Sequence, residues 1–74
     1  MNAIEMTPNL LKNWTIENFW DGSVVLYGEI YNDEKNRFSD GSHIRTSRVR
    51  YIDFEQGVVQ TKNSTYHLAK RGIR

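Results

Sequence analysis

From Asn13 onward, apolar and polar residues alternate with a period of two, and the alternation breaks at Asp21-Gly22, Asp40-Gly41, Gln56-Gly57 and Asn63-Ser64. Alternation of this kind marks half-buried strands, and the Gly, Asn and Asp clusters between them mark turns. The pattern predicts five antiparallel strands, over 13–20, 23–31, 43–54, 58–62 and 65–69. Ahead of them, Thr7-Pro8-Asn9-Leu10-Leu11-Lys12 offers an N-cap and a proline suited to a first helical position, so one short helical turn is expected there.

Turn parity decides which side chains share a face. A two-residue Asp21-Gly22 turn would pair Trp20 with Ser23 and set Val24, Leu26 and Ile30 against the face of Trp14 and Ile16. A three-residue loop, Asp21-Gly22-Ser23 with Gly22 at positive φ, pairs Trp20 with Val24 and gathers Trp14, Ile16, Trp20, Val24, Leu26 and Ile30 on one face. Burial at about 25 cal/mol per Å² favours that register. In the last hairpin a two-residue Asn63-Ser64 turn pairs Thr61 with Tyr66 and Val59 with Leu68, all on one side. The middle strand is less regular: Val49 and Tyr51 share a side, while Ile52 and Phe54 lie on the other with Arg48 and Arg50. A strand that changes its apolar face midway carries a bulge or bends between layers.

These signals define an all-β fold with one short N-terminal helical turn, built as a strongly curved five-stranded antiparallel sheet or a small open barrel of the SH3-like or OB-like kind. The 74 residues form a single domain: an N-terminal segment 1–12, a β core 13–69 and a basic tail 70–74. With no cysteine, neither a disulfide framework nor a thiolate zinc site is available to help a small core. No apolar run approaches the roughly 20 residues of a membrane span, and Met1 to Met6 lack the order of a signal peptide, so a cytoplasmic location is expected. The two Asn-x-Ser/Thr sequons, at Asn13 and Asn63, are then coincidental.

Charge adds what periodicity does not contain. Residues 1–42 hold three Lys/Arg and seven Asp/Glu, while residues 43–74 hold seven and two, giving formal charges of −4 and +5 within a total of +1. Three arginines, Arg45, Arg48 and Arg50, fall within six positions of the predicted third strand. In an unbroken strand Arg48 and Arg50 share a face and Arg45 points away. With Lys62, Lys70, Arg71 and Arg74 they could follow a phosphate backbone, or they could meet an acidic protein surface, for which Arg is suited by its planar, multidentate donors. The plain alternative is a charged strand that keeps a sheet edge soluble and pairs internally with Glu17, Glu29, Asp33 and Glu34. A total charge near zero weighs against a dedicated non-specific nucleic-acid binder.

Three aromatics join the arginines as candidate partner-binding residues. Tyr27 and Tyr31 share the second face of the first hairpin with Phe19 and Val25, a face that is either a contact platform or, the favoured reading, covered by Ile4, Met6, Leu10 and Leu11. Phe38 sits in the longest irregular stretch, 32–42, as a core anchor or an exposed contact, anchoring being favoured. That stretch lacks calcium-loop spacing. His43 and His67 are the only imidazoles, and no nucleophile elbow, glycine-rich phosphate loop or paired metal-ligand spacing accompanies them. No catalytic residue, metal or cofactor is expected, and the chain is read as not an enzyme.

The order Asp21-Gly22, Val24-Val25-Leu26-Tyr27-Gly28, Asp40-Gly41, Ile44-Arg45-Thr46-Ser47 and Asn63-Ser64-Thr65-Tyr66-His67-Leu68 resembles small β-rich proteins of phages and other mobile elements, mostly of unknown function, some of which are anti-CRISPR inhibitors. The resemblance implies a non-enzymatic module that binds a protein partner, such as an inhibitor of a host nucleic-acid-handling complex. It carries over no site residues. The alternatives are a small-barrel nucleic-acid-binding protein and a β domain that assembles with itself as a homodimer.

Overall fold

A computed structural model describes residues 7–70, which form six strands: β1 Leu10–Asn18, β2 Val24–Tyr31, β3 Ser42–Arg45, β4 Val49–Asp53, β5 Val58–Thr61 and β6 Thr65–Leu68. They make one mixed sheet in the order β3-β2-β1-β6-β5-β4, in which β1 and β6 run parallel and every other neighbouring pair antiparallel. The all-β class stands, but the sheet has six strands rather than five, it is mixed rather than antiparallel, and residues 7–12, where a helical turn was expected, form none.

The predicted third strand is two strands at opposite edges of the sheet, β3 and β4, joined by Thr46-Ser47-Arg48. Six flat strands would span about 24 Å at ~4.8 Å per neighbour. The chain from Arg45 to Val49 reaches at most about 14 Å. The sheet must therefore curl until its edges approach each other, yet β3 and β4 do not pair and no barrel closes. Local bonds hold this seam: Leu26 N–H donates to Thr46 Oγ1 (3.0 Å), Thr46 N–H to Leu26 O (2.8 Å), Lys62 N–H to Arg48 O (3.0 Å) and Asn63 Nδ2 to Ser47 Oγ (2.6 Å).

The inside of the curl is the core, with Leu11, Leu26, Ile30 and Val59 fully buried beside Ile44 and Tyr66, and Trp14, Ile16, Val49, Ile52 and Leu68 packed against them. Two bulges make this set possible. On β1, Asn13 and Trp14 together oppose Gly28, with Asn13 at φ 51°, so Leu11 and Ile16 both face inward despite their opposite parity. Gly28 is required there because a Cβ would stand 2.8 Å from Leu11 Cγ and 3.1 Å from Lys12 O. On β4 the slip at Arg50 puts Val49 opposite Thr61 and Ile52 opposite Val59, so Val49 lies with Ile52 and not with Tyr51.

The N-terminal turn is corrected for a physical reason. Asn9, buried and at φ 50°, receives a hydrogen bond from His67 N on its carbonyl and donates its own N–H to Asn32 O, both at 2.9 Å. Its amide Nδ2 donates to Thr65 O (2.9 Å) and Glu34 Oε1 (3.2 Å), while Oδ1 accepts from Glu34 N (2.8 Å). Bonds to β6 and the 32–41 loop outweigh local capping preference, and Leu10 and Leu11 extend β1, parallel to His67 and Leu68.

Candidate functional site

The first hairpin keeps the predicted loop length and Gly22 at positive φ (89°), but the loop is Trp20-Asp21-Gly22 rather than Asp21-Gly22-Ser23. Phe19 N donates to Ser23 O and Gly22 N to Phe19 O, both at 2.9 Å, so Phe19 faces Ser23 and the ladder begins at Asn18 and Val24. Trp20, expected on the core face, thus sits at the turn and is 98% exposed. Asp21 fixes the turn by accepting from Ser23 Oγ (2.7 Å) and N (2.9 Å), and the Ser23 hydroxyl foremost lowers its carboxyl pKa below the usual value.

Around this tip the seam supplies two arginines. Arg45, the last residue of β3, stands opposite Tyr27, and Arg48 leaves the seam to reach Asp21 Oδ2 at 3.6 Å. Arg45 and Arg48 line one hollow with Phe19 and Trp20. The Arg48–Asp21 pair is mostly solvated, 71% and 40% exposed, so it fixes orientation weakly. Arg45 has no carboxylate within 4.0 Å among the described residues.

Arg50 lies elsewhere. It borders a second hollow with Tyr51, Lys62 and Lys35. The expectation that Arg48 and Arg50 share a face required an unbroken strand; with the strand divided, Arg48 goes with Arg45.

The predicted aromatics separate as well. Tyr27 is partly exposed beside Arg45. Tyr31 is half-buried, its hydroxyl donating to Glu29 Oε1 (3.2 Å) and its ring lying under Lys12 Nζ at 4.6 Å; desolvation foremost, then Glu29, raises its pKa. Phe38 is 42% exposed and outside the core cluster; its amide bonds Asp33 Oδ2 (3.1 Å) and its ring stacks under the Arg37 guanidinium at 5.4 Å. The anchor of this loop is instead Asp33. The proposed cover for the second face rested partly on Ile4 and Met6, which lie outside the described residues, as do Arg71 and Arg74 of the basic tail. Leu10 and Leu11 belong to β1 itself.

Sequence reasoning named Lys62 among the surface cations but missed Trp20, Tyr51 and Lys35 as surface features. For Trp20 a signal existed: placing Gly22 last in a three-residue hairpin loop, where positive φ is demanded, puts Trp20 inside the turn. His43 is an exposed residue of β3, and His67 Nδ1 donates to Pro8 O at 2.9 Å. Among the described residues no group of three His, Cys, Asp or Glu could hold a metal ion, and no helix is long and apolar enough to cross a membrane. No protein-family model, curated protein or solved structure matches the chain.

Proposed function

We propose that the chain is a non-enzymatic binding module that engages a protein partner through the tip of its first hairpin, Trp20 entering an apolar recess while Arg45 and Arg48 meet acidic groups beside it. The observation that carries this reading is the 98% exposure of Trp20 next to those two arginines. Trp and Arg are the residue types most enriched among binding hot spots. An indole buried on contact removes on the order of 150–250 Å² from water, about 4–6 kcal/mol before ordering costs.

An inhibitor of a host nucleic-acid-handling complex is one form of such a module. A cationic tip would seat on an acidic surface of that complex rather than in the basic groove where nucleic acid runs. The test is affinity capture from the native host with nuclease treatment, using the parent chain, Trp20→Ala and Arg45→Ala. A nuclease-resistant protein retained by the parent and lost from both variants at an unchanged unfolding midpoint supports the proposal. Equal capture by all three, or loss of capture on nuclease treatment, overturns it.

A further inference from the structure

On the other side of the seam the β4 bulge, the β5–β6 turn and the 32–41 loop bring three cations around an exposed ring. Arg50 is the bulge residue, and bulges re-aim side chains. Tyr51 follows it, pairs with Gln60 and is 54% exposed. Lys62 stands in the turn after β5, and Lys35 reaches across from its loop, its ammonium donating to Asn63 O at 2.8 Å. All four border one hollow. Its single carboxylate, Glu34, already accepts from Asn9 Nδ2 at 3.2 Å. Among the described residues none of Lys35, Arg50 and Lys62 has a carboxylate within 4.0 Å.

Three cations against one carboxylate leave the hollow with a net positive charge that favours an anionic ligand. An exposed phenol ring among them adds a surface on which a base can stack. We infer that this hollow binds single-stranded nucleic acid, phosphates meeting Arg50, Lys62 and Lys35 while a base stacks on Tyr51. An acidic peptide would satisfy the cations and leave the ring without a partner. The site is separate from the Trp20 tip and does not depend on the role proposed for it.

The experiment is fluorescence anisotropy of a labelled oligothymidine about 12 nucleotides long with the full chain. Three phosphate contacts predict a slope of about −2 in log K against log salt, a roughly 20-fold loss between 50 and 200 mM. Arg50→Gln with Lys62→Gln should weaken binding at least about tenfold at an unchanged unfolding midpoint. Tyr51→Leu, which leaves every cation in place, should weaken it by about fivefold or more through lost stacking. Trp20→Ala should bind as the parent does, so failure here and failure at the hairpin tip are told apart. The inference is overturned by an absence of binding at 50 mM salt, by full retention in the double variant, or by tripolyphosphate or polyglutamate competing as well per charge as unlabelled oligothymidine.

Discussion

Replacing Asp33 by Asn tests the loop that carries Lys35 to its place. The Asp33 side chain is 1% exposed. Its oxygens accept from the backbone N–H groups of Lys35 (3.3 Å), Arg37 (2.7 Å) and Phe38 (3.1 Å), and from Arg37 Nε (3.3 Å) and Nη2 (2.9 Å). The Arg37 side chain foremost, with the backbone amides, lowers the carboxyl pKa from 3.8 to about 2 against an opposing desolvation. At 1.36 kcal/mol per unit that shift corresponds to at most about 2 kcal/mol. Exposed residues surround the carboxylate on the loop, and Asn keeps one acceptor oxygen, so a loss of about 1–2 kcal/mol is expected.

In a domain of this size such a loss lowers the thermal midpoint by roughly 5–15 °C at pH 7. Because the folded pKa lies below the unfolded one, the carboxylate's stabilisation is complete above about pH 4 and disappears as pH falls through about 2. The gap between parent and Asp33→Asn, followed by circular dichroism, should therefore be constant from pH 7 to about 5 and close between about 4 and 2. Other carboxylates titrate in both proteins and largely cancel in the difference. Equal midpoints at pH 7, or a gap of the same size at pH 7 and pH 2, would refute the assignment.

Gly28→Ala should destabilise by about 1–3 kcal/mol in urea titrations, because its Cβ meets Leu11 Cγ at 2.8 Å within the bulge. Thr46→Val, nearly isosteric, removes the acceptor of the buried Leu26 N–H and should cost about 1–3 kcal/mol in the same assay. The two tryptophans should behave oppositely. Trp20→Ala should change stability by less than about 0.5 kcal/mol. Trp14→Ala, which loses the indole bond to Ala69 O (2.9 Å) and the stacking on Phe54 at 6.2 Å, should cost about 2–3 kcal/mol.

What the sequence allowed and what it withheld follow one rule in both hairpins. In the first, Trp20 was expected opposite Val24 and Asn18 is found there; in the last, Val59 was expected opposite Leu68 and faces Tyr66. Each register slid by two, which keeps parity: Trp20 moves into the turn and leaves the core face, but Ile16 still shares a face with Leu26, now directly opposite it, and Val59, Thr61, Tyr66 and Leu68 still point inward. Burial selects parity, because a slip of one residue turns every apolar side chain outward. Turn chemistry selects among registers of equal parity, and here it was decided by details such as Thr61 Oγ1 accepting from Ser64 N at 3.1 Å. The change of apolar face after Arg48 announced the bulge at Arg50. The parallel pairing of β1 with β6 had no local signal, since it depends on Asn9 bonding residues 23 to 58 positions away.

The place of the arginines relative to the seam bears on why they are there. β3 and β4 are the two edge strands, and Arg45 and Arg50 lie on them with Arg48 between. Cations on edge strands discourage pairing with another sheet, and that role alone would explain three arginines where a curled sheet stops short of closing. Edge protection, however, needs charge and little else, so lysine would serve equally. It also gives no reason for Trp20 and Tyr51 to stand exposed beside those charges. Multidentate contact with a partner uses the planar guanidinium, which lysine cannot reproduce. Arg45→Lys with Arg48→Lys therefore separates the two roles. If the seam needs only charge, the variant stays as soluble and monodisperse in size-exclusion mass measurement as the parent and captures the same partner equally well. If the arginines bind, solubility is kept and capture falls.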